Sequence, residues 1–572
     1  MSGQPFTAKL KALVLPPRPD PARSRHIAEM RLMVSAMVVL VVFSTIATRV
    51  LALALEEDPR MATYPDNGPA IDRGLVFDRN GRLLATNLPI TILHADPANI
   101  MDAPAAAQAL APLLPRYDEN DLLRLLTRKT RYVELDRKLT PARHAAVLQL
   151  GIPGVYFRKS KVRVYPGGDL AAHVLGQVDV DNNGIAGVEK SLDARLSAGK
   201  NVTLSIDSGV QAIVARALQA QIDEYEAVAG AALMMEVGSG EIVSMVSLPD
   251  YNANHIAAAA DEARFNRASL GLYELGSTFK VLNTAIALET GTTTLDRRYN
   301  VAQPLRVPGK YITDYKTYDW PLSVPEILVL SSNIGSAKMA AEFGGDTQRT
   351  YLERLGMSQR LRLEIPETST PQMPAQWKAA EIATVSYGHG IAVSLPHLAA
   401  AVSAASGDGI FIEPTLLHHQ TDDSRIMSRV FSPETTRAVR SMMRLVVAHP
   451  DGTGNLAEAR GYMVGGKTGT SEKINPEGGY FDDRNIASFV ATFPVHDPKY
   501  VLVIMVDDPK GQKKSYYKAT GGWVAAPAAK EIVRHAAPML GIHPVDEKTP
   551  EIRQKLRLDF KIGKKEMTLA SY

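Results

Sequence analysis

The 572-residue sequence contains no cysteine. This absence excludes a thiol nucleophile, a disulfide framework and any metal site that needs a cysteine ligand. The 13 histidines include no His-Glu-x-x-His spacing, so that class of zinc hydrolase has no support. The net charge is only +3, and no basic run is interleaved with aromatic residues. Nucleic acid is therefore not expected as a partner.

Long hydrophobic runs are also scarce after the N-terminal region. Residues 32–48 carry no charge, and the apolar stretch resumes after Arg49 and continues to residue 55. A helix of about 20 apolar residues spans a bilayer, so residues 32–55 are predicted to be a membrane anchor. Six basic residues precede this stretch and three acidic residues follow it. That asymmetry predicts a cytoplasmic tail over 1–31 and an extracytoplasmic remainder.

Two further features concern this N-terminal region. Five prolines in residues 1–31 predict that the tail is disordered. The alternative to an anchor is a cleaved signal peptide, because residues 52–54 (Ala-Leu-Ala) resemble a cleavage site. The charged leader and the apolar stretch are both long for a signal peptide, so the anchor is the favoured interpretation.

The rest of the chain is long enough for more than one domain. Residues 56–205 mix short strand-like and helical segments. Residues 206–545 contain two pairs of apolar segments typical of β-hairpins, 229–237 with 241–248 and 486–493 with 500–507. An alanine-rich helical region separates the pairs, and a helix is predicted over 525–540. We expect an α/β sandwich, with an antiparallel sheet between helices, followed by a charged tail over 546–572.

Three Ser-x-x-Lys patterns occur, beginning at Ser197, Ser277 and Ser515. Ser277 differs from the other two because it follows a glycine and opens a stretch with helical periodicity. At a helix start, its hydroxyl would lie in the positive field of unpaired amides, with Lys280 on the same face. A buried lysine can lose its proton and act as a base. Taken alone, an N-capping serine beside a solvated lysine explains the pattern better.

A second polar element is Ser331-Ser332-Asn333. The preceding residues 323–326 (Ser-Val-Pro-Glu) have the capping-box pattern, which predicts a helix over 324–330. The three polar residues would then lie at the helix end or in the following turn. A hydroxyl and an amide at this spacing could relay a proton and hold a peptide group. Polar capping of the helix end is the alternative.

A third element is the Lys-Thr-Gly-Thr sequence at residues 467–470. Residues 461–468 satisfy the Walker A pattern, but a phosphate-binding loop must be followed by a helix. The next residues contain Pro476 and paired glycines, which cannot form that helix. We predict instead a strand in which Lys467 offers a cation and Thr470 a hydroxyl to a substrate carboxylate.

In this order the three elements resemble the Ser-x-x-Lys, Ser-x-Asn and Lys-Thr-Gly motifs of penicillin-binding proteins and serine β-lactamases. Leu275 departs from the family pattern, in which proline is usual at this position. Other segments are similar to the class B penicillin-binding proteins: residues 73–81, 163–166, 171–176, 187–189, 386–393 and 521–527. The resemblance implies a transpeptidase domain over 206–545 after a dimerisation-like pedestal over 56–205. It also implies structural roles for His173 and Glu189.

The resemblance implies a serine D,D-transpeptidase that cross-links peptidoglycan stem peptides and is inhibited by β-lactams. Ser277 would attack the D-Ala–D-Ala carbonyl, Lys280 would act as the base, and Ser331 would pass the proton to the leaving amine. The residues expected to bind substrate are Asn333, Lys467, Thr468, Gly469 and Thr470. The family needs no metal or cofactor.

The Ser-x-Asn form of the second motif resembles the division-specific, FtsI-type members rather than the elongation-specific ones, which usually carry Ser-x-Asp. Septal wall synthesis at the bacterial inner membrane is therefore expected, with a SEDS-family glycosyltransferase and division-complex proteins as partners. The alternatives are an elongation-specific transpeptidase, a β-lactamase or carboxypeptidase, and a non-catalytic division scaffold or β-lactam sensor.

Overall fold

The computed structural model describes residues 21–55, 72–419, 427–475 and 477–556, together with the backbone of two short strands, Asp559–Ile562 and Lys565–Thr568. The chain divides into two compact units, residues 1–70 and residues 71–572. The predicted disorder of residues 1–20 and most of the predicted tail beyond residue 556 lie outside the described residues.

The described part of the first unit is a helix, Pro21–Leu55. Its segment Arg25–Ala52 is long and apolar enough to cross a membrane. The helix begins at Pro21 rather than at residue 32, so the prediction of disorder is wrong for residues 21–31. Proline is tolerated at the first helical position because its missing N–H would have no partner there. An Arg25–Glu29 ion pair of 3.3 Å, one turn apart, adds support.

The second unit begins with a five-stranded sheet around the long strand Leu83–Ala95. This strand pairs antiparallel with Val76–Phe77, Val133–Leu139 and Val155–Val164. A fifth strand, Val202–Thr203, lies parallel to Val76–Phe77. Three helices share a buried apolar core with the sheet, and they are Ala103–Leu110, Glu119–Leu126 and Pro141–Leu150.

Buried charges hold this pedestal together. Glu189 is fully buried and accepts hydrogen bonds from Arg73 at 2.7 Å and Arg163 at 2.6 Å. His173 lies 2.7 Å from the carbonyl oxygen of Ala263, beyond the pedestal in the chain. Burial lowers the pKa of His173 to about 4, so the ring is neutral and donates this bond. Both residues contact protein groups, in agreement with their predicted structural roles.

The second half of the unit contains an antiparallel five-stranded sheet, here called the central sheet. Its strands lie in the order Gly465–Ile474, Tyr480–Phe493, Tyr500–Asp507, Ala229–Glu236 and Ile242–Leu248. The sheet contains both predicted hairpins, one formed by Ala229–Glu236 and Ile242–Leu248 and the other by Tyr480–Phe493 and Tyr500–Asp507. Because Gly465–Ile474 is an edge strand, one side of its backbone is free to pair with another chain.

Helices cover both faces of the central sheet. Ser208–Glu224 and Gly521–Met539 share one core with the sheet, whereas Lys280–Glu289, Leu395–Ser406 and Pro433–Ala448 share the other. Alternate residues of a strand therefore enter different cores, and both sets are apolar. This arrangement confirms the predicted α/β sandwich and the predicted closing helix.

The remaining helices and small strand pairs complete the described chain. The other α-helices are Ala172–Leu175, Gly187–Ser191, Asp193–Ser197, Asp261–Arg264, Val324–Val329, Asn333–Arg354, Ala379–Val385 and Pro550–Lys555. The 3-10 helices are Pro97–Asn99, Ala111–Leu113, Ala253–Ala258, Gly276–Phe279, Asn455–Ala457 and Lys513–Ser515. The small strand pairs are Gln177–Val178 with Gly184–Ala186, Arg298–Tyr299 with Leu322–Ser323, Leu305–Val307 with Lys310–Ile312, Ile410–Ile412 with Met427–Arg429, and Asp559–Ile562 with Lys565–Thr568.

The beginning of the predicted C-terminal tail packs against the preceding domain. Ile552 and Leu556 form a small buried cluster with Met463 and Val495. Residues 546–556 are thus part of the folded unit rather than an extension from it.

Candidate active site

Ser277 lies in the 3-10 turn Gly276–Phe279, which leads directly into helix Lys280–Glu289. The predicted helix start is therefore present, with a tighter first turn. Gly276 has a φ of 57°, and a Cβ atom at this position would lie 2.8 Å from the carbonyl oxygen of Thr470. Glycine thus allows the nucleophile turn to press against the edge strand of the central sheet.

The residue before this glycine is Leu275, where the family pattern has proline. Its carbonyl oxygen accepts hydrogen bonds from Thr278 Oγ1 and Ser488 Oγ, both at 3.0 Å. These two bonds hold the turn from within and from the central sheet. The substitution therefore leaves Ser277 in a well-supported position.

Lys280 is completely buried, and its amine lies between Ser277 of its own motif and the Ser331-Ser332-Asn333 segment. The Nζ atom is 2.7 Å from Ser277 Oγ and 2.7 Å from Asn333 Oδ1. It is also 3.0 Å from the carbonyl oxygen of Ser331 and 3.2 Å from its Oγ. Burial lowers the pKa of Lys280 to about 7, against an opposing effect of Asp314. A neutral amine within hydrogen-bond distance of a serine hydroxyl can accept its proton.

Ser331 connects the two lysines of the site. Its φ of 62° is in the left-handed region, which a non-glycine residue adopts only at some energetic cost. In this conformation its Oγ accepts a hydrogen bond of 2.9 Å from Lys467 and lies 3.2 Å from Lys280. The hydroxyl can therefore exchange a proton with either amine.

The helix that delivers Ser331 is the predicted one. Helix Val324–Val329 has a complete capping box, in which Ser323 and Glu326 satisfy each other's backbone amides. Asn333 begins the next helix, Asn333–Arg354, which lies in the predicted alanine-rich helical region but whose bounds were not predicted. The side chain of Asn333 accepts from Lys280 and donates to the carbonyl oxygen of Thr313 at 3.0 Å.

Lys467 is also completely buried, on strand Gly465–Ile474 as predicted. Burial lowers its pKa well below the usual range, and the neighbouring Lys280 lowers it further. Thr470 is exposed on the same edge strand, and its Oγ1 accepts a hydrogen bond of 3.1 Å from the amide of Gly521. The hydroxyl hydrogen of Thr470 therefore remains available to a ligand.

Two residues predicted to bind substrate have their contacts inside the protein instead. Thr468 is buried, and its hydroxyl donates to Thr453 Oγ1 at 2.8 Å. At Gly469 a Cβ atom would lie 2.2 Å from the carbonyl oxygen of Leu275. These contacts show that both residues shape the strand, and their binding of substrate stays a prediction. Gly469 allows the nucleophile turn to approach closely, and Thr468 anchors the strand from behind.

Two residues near Lys280 were not predicted. The ring centroid of Tyr387 is 5.8 Å from Lys280 Nζ, and burial raises the pKa of Tyr387 to about 12. Asp314 accepts hydrogen bonds from the start of helix Asn333–Arg354. Tyr387 belongs to a segment with family resemblance, which was a usable signal. Asp314 lies in a loop whose local pattern gave no signal.

One cluster outside the site has the composition of a metal site, formed by Glu241, His418 and His419. The carboxylate of Glu241 lies 2.8 Å from His418 Nδ1 and accepts the amide hydrogen of His419 at 3.0 Å. The Arg79 guanidinium is 3.4 Å from the same carboxylate and supplies a positive charge. Because these contacts already satisfy the carboxylate, we interpret the cluster as a structural ion pair.

Comparison with known proteins identifies the family. Family models for the penicillin-binding protein dimerisation domain and transpeptidase domain match residues 70–219 and 230–534. The chain is 37% identical over 481 residues to the probable peptidoglycan D,D-transpeptidase FtsI of Caulobacter vibrioides, with 82% of each chain covered. This chain is a class B penicillin-binding protein. The predicted family is confirmed, and so is the prediction of a transpeptidase.

Other relatives agree with this assignment. Identity is 30% over 506 residues to the peptidoglycan D,D-transpeptidase FtsI of Escherichia coli K12, covering 82% of this chain and 84% of that one. The crystal structure of penicillin-binding protein 3 from Mycobacterium tuberculosis in complex with aztreonam has a TM-score of 0.66 and 24% identity. It covers 83% of this chain and 98% of that chain, and it supports the fold.

Proposed function

We propose that this protein is a peptidoglycan D,D-transpeptidase that cross-links stem peptides during septal wall synthesis, through an acyl-enzyme on Ser277. The observation that carries the proposal is the contact between Ser277 Oγ and the buried amine of Lys280 at 2.7 Å. A division role is supported by the relatives in Caulobacter vibrioides and Escherichia coli, which carry the name FtsI.

Acylation begins when Ser277 Oγ attacks the carbonyl carbon between the two D-alanines of the donor peptide. Neutral Lys280 accepts the hydroxyl proton as the C–O bond forms. When the C–N bond breaks, the leaving D-alanine amine needs a proton. Ser331 Oγ lies 3.2 Å from Lys280 Nζ and can pass that proton on, which restores the neutral lysine. The products are an ester on Ser277 and free D-alanine.

The negative charge on the tetrahedral oxygen needs hydrogen-bond donors. The backbone amides of Ser277 and Thr470 are suited to this role, because the nucleophile turn lies directly against the edge strand. A Cβ atom on Gly276 would be 3.2 Å from the amide nitrogen of Thr470. Loss of one such donor costs about 3–4 kcal/mol of transition-state stabilisation in comparable sites.

The donor peptide binds as an additional strand. Strand Gly465–Ile474 is at the edge of the central sheet, and an extended peptide can pair with its free side. The terminal carboxylate then meets the Thr470 hydroxyl and Lys467, whose protonated form the carboxylate favours. Asn333 orients the donor amide. A β-lactam follows the same acylation but leaves an ester that reacts slowly.

In the second half-reaction an amine of a neighbouring stem peptide attacks the ester carbonyl. The new peptide bond forms, the bond to Ser277 Oγ breaks, and the serine recovers a proton through Lys280. The acceptor replaces the released D-alanine, so no external energy source or cofactor is required.

The membrane arrangement is also a proposal. The basic residues before the N-terminal helix and the acidic residues after it favour a cytoplasmic N-terminus and an extracytoplasmic catalytic domain at the inner membrane. The SEDS-family glycosyltransferase and the division-complex partners stay predictions from the family resemblance. Donor strands would come from such a polymerase.

The test uses the detergent-solubilised full chain with a synthetic donor ending in D-Ala–D-Ala and a labelled D-amino acid as acceptor. We expect labelled transfer product and released D-alanine, with neither formed by Ser277→Ala. Release of D-alanine without transfer would indicate a carboxypeptidase. Absence of both, in a protein that melts cooperatively, would contradict the proposal and favour a scaffold.

A further inference from the structure

Asp314 lies just after the short strand Lys310–Ile312, and its carboxylate meets the start of helix Asn333–Arg354. Its Oδ1 accepts the backbone amide hydrogens of Asn333 at 2.5 Å and Ile334 at 2.9 Å. Its Oδ2 accepts the hydroxyl hydrogen of Ser332 at 2.5 Å. One carboxylate thus takes hydrogen bonds from three consecutive residues.

These three residues include the middle and last positions of the Ser-Ser-Asn motif. Ser332 caps the helix by accepting the amide hydrogen of Gly335 at 2.9 Å, and it donates to Asp314 at the same time. The residues on either side of Ser332, Ser331 and Asn333, are the two of this motif whose side chains reach Lys280. The position of Asp314 therefore determines how Ser331 and Asn333 meet the amine.

Asp314 also supplies negative charge near Lys280. Within the described part of the chain, its hydrogen-bond partners are neutral amides and a hydroxyl, and it has no salt bridge to an arginine or lysine. The other titratable groups that face Lys280 are Lys467 on the edge strand and Tyr387 in the loop after helix Ala379–Val385. Burial keeps Tyr387 neutral, with a pKa of about 12. Asp314 is thus the charge that favours protonated Lys280.

We propose that Asp314 is a positioning residue for acylation: it fixes Ser331 and Asn333 on Lys280, and its negative charge favours the protonated form of that lysine. This inference rests on the proposed function. The inference has a geometric part, the hydrogen bonds of Asp314, and an electrostatic part, its negative charge. The two can be tested separately because an asparagine amide can replace the carboxylate. The Oδ1 of an asparagine would still accept the two backbone amides, and its Nδ2 would donate to Ser332 Oγ.

The experiment measures the rate of labelling by a fluorescent penicillin between pH 5 and pH 9, for the full chain in detergent. The variants are Asp314→Asn, Asp314→Ala and the control Asp319→Asn. Asp319 lies in the same loop, is exposed, and undergoes the same change of charge. Thermal unfolding of each variant shows that it is folded at the labelling temperature.

For Asp314→Asn we expect the rise of the rate with pH to move to lower pH, since Lys280 loses a stabilising negative charge. If the profile moves down by one pH unit, the fraction of neutral Lys280 at pH 6 rises about fivefold. Asp319→Asn should follow the wild type. For Asp314→Ala we expect a maximal rate lower by on the order of tenfold, because three donors lose their acceptor. A merely structural role would lower rates without moving the pH dependence.

Coincident pH profiles for Asp314→Asn, Asp319→Asn and the wild type would overturn the electrostatic part. A folded Asp314→Ala with an unchanged maximal rate would overturn the geometric part. If the wild type is not labelled at any pH, the proposed function itself fails and this inference fails with it.

Discussion

The proposed role of Lys280 as the base predicts that the rate of acylation depends steeply on pH. The proposed base is the neutral amine, and the pKa of Lys280 is lowered to about 7 by burial. The rate of penicillin acylation should therefore rise with pH and reach half its maximum near pH 7. Each pH unit below this value reduces the neutral fraction about tenfold, equivalent to about 1.4 kcal/mol. At pH 5 the rate should be on the order of a hundredth of its maximum.

Lys280→Arg tests the same reasoning without removing the positive charge. Arginine does not lose its proton in proteins, so it cannot replace a neutral amine as a base. We expect the variant to lose about 10²–10⁴-fold in the maximal acylation rate and to lack the rise of the rate near pH 7. The matched control is Lys316→Arg, because Lys316 is exposed. A wild-type labelling rate that is flat from pH 5 to pH 9 would refute the role of Lys280 as a base. Substantial labelling of Lys280→Arg would refute it as well.

The same burial should make Lys280 costly for stability. The folded protein releases the lysine proton near pH 7, whereas an unfolded chain holds it to about pH 10.4. Stability should therefore rise with pH across this window, because the unfolded state binds more protons there. Lys280→Met should raise the stability at pH 7 by roughly 2 kcal/mol while abolishing acylation. Thermal unfolding at pH 7 and pH 9 measures the rise of stability with pH and the effect of Lys280→Met. A Lys280→Met variant less stable than the wild type at pH 7 would contradict the predicted cost of burying this lysine.

The remaining predictions concern one glycine and one buried charge. Gly276→Ala places a Cβ atom 2.8 Å from the Thr470 carbonyl oxygen at a residue with positive φ. We expect stopped-flow labelling to show acylation at least about 100-fold slower. Thermal unfolding should show a stability loss of roughly 1–2 kcal/mol. Glu189→Ala removes the carboxylate that the buried Arg73 and Arg163 share, while Arg73 keeps its ion pair with Asp193, and it should cost about 3–5 kcal/mol in unfolding experiments. The control Glu134→Ala breaks only the partly exposed ion pair with Arg137 and should cost less than about 1 kcal/mol, so equal losses would contradict the interpretation.

The central sheet was predictable because its strands are unusually clear in the sequence. Strand Ala229–Glu236 places Ala231 and Leu233 in one core and Ala232 and Met234 in the other. A strand buried on both faces is a continuous apolar run, and such runs stand out from the surrounding helices. The order of the strands was not predictable in this way. Which strand lies at the edge depends on pairing between distant segments.

The catalytic motifs were predictable where their geometry is local. Ser277 and Lys280 are one turn apart, and the capping box at Ser323 lies within a single helix start. That Ser277 and Lys280 lie close to Lys467 was predicted from the family resemblance and not from the sequence spacing. Asp314 was missed because its contacts with the Ser-Ser-Asn turn require the loop to fold back on the helix. The side chain of Thr468 faces inward, which motif membership could not reveal, and its role in substrate binding stays a prediction.

The measurement that tests the central claim most directly is peptide mapping by mass spectrometry of the full chain after brief exposure to penicillin. We expect one adduct of intact penicillin mass, on the peptide that contains Ser277, and its absence from Ser277→Ala. An adduct on Ser331 or another residue, or no adduct while penicillin is left unconsumed by the folded protein, would contradict it.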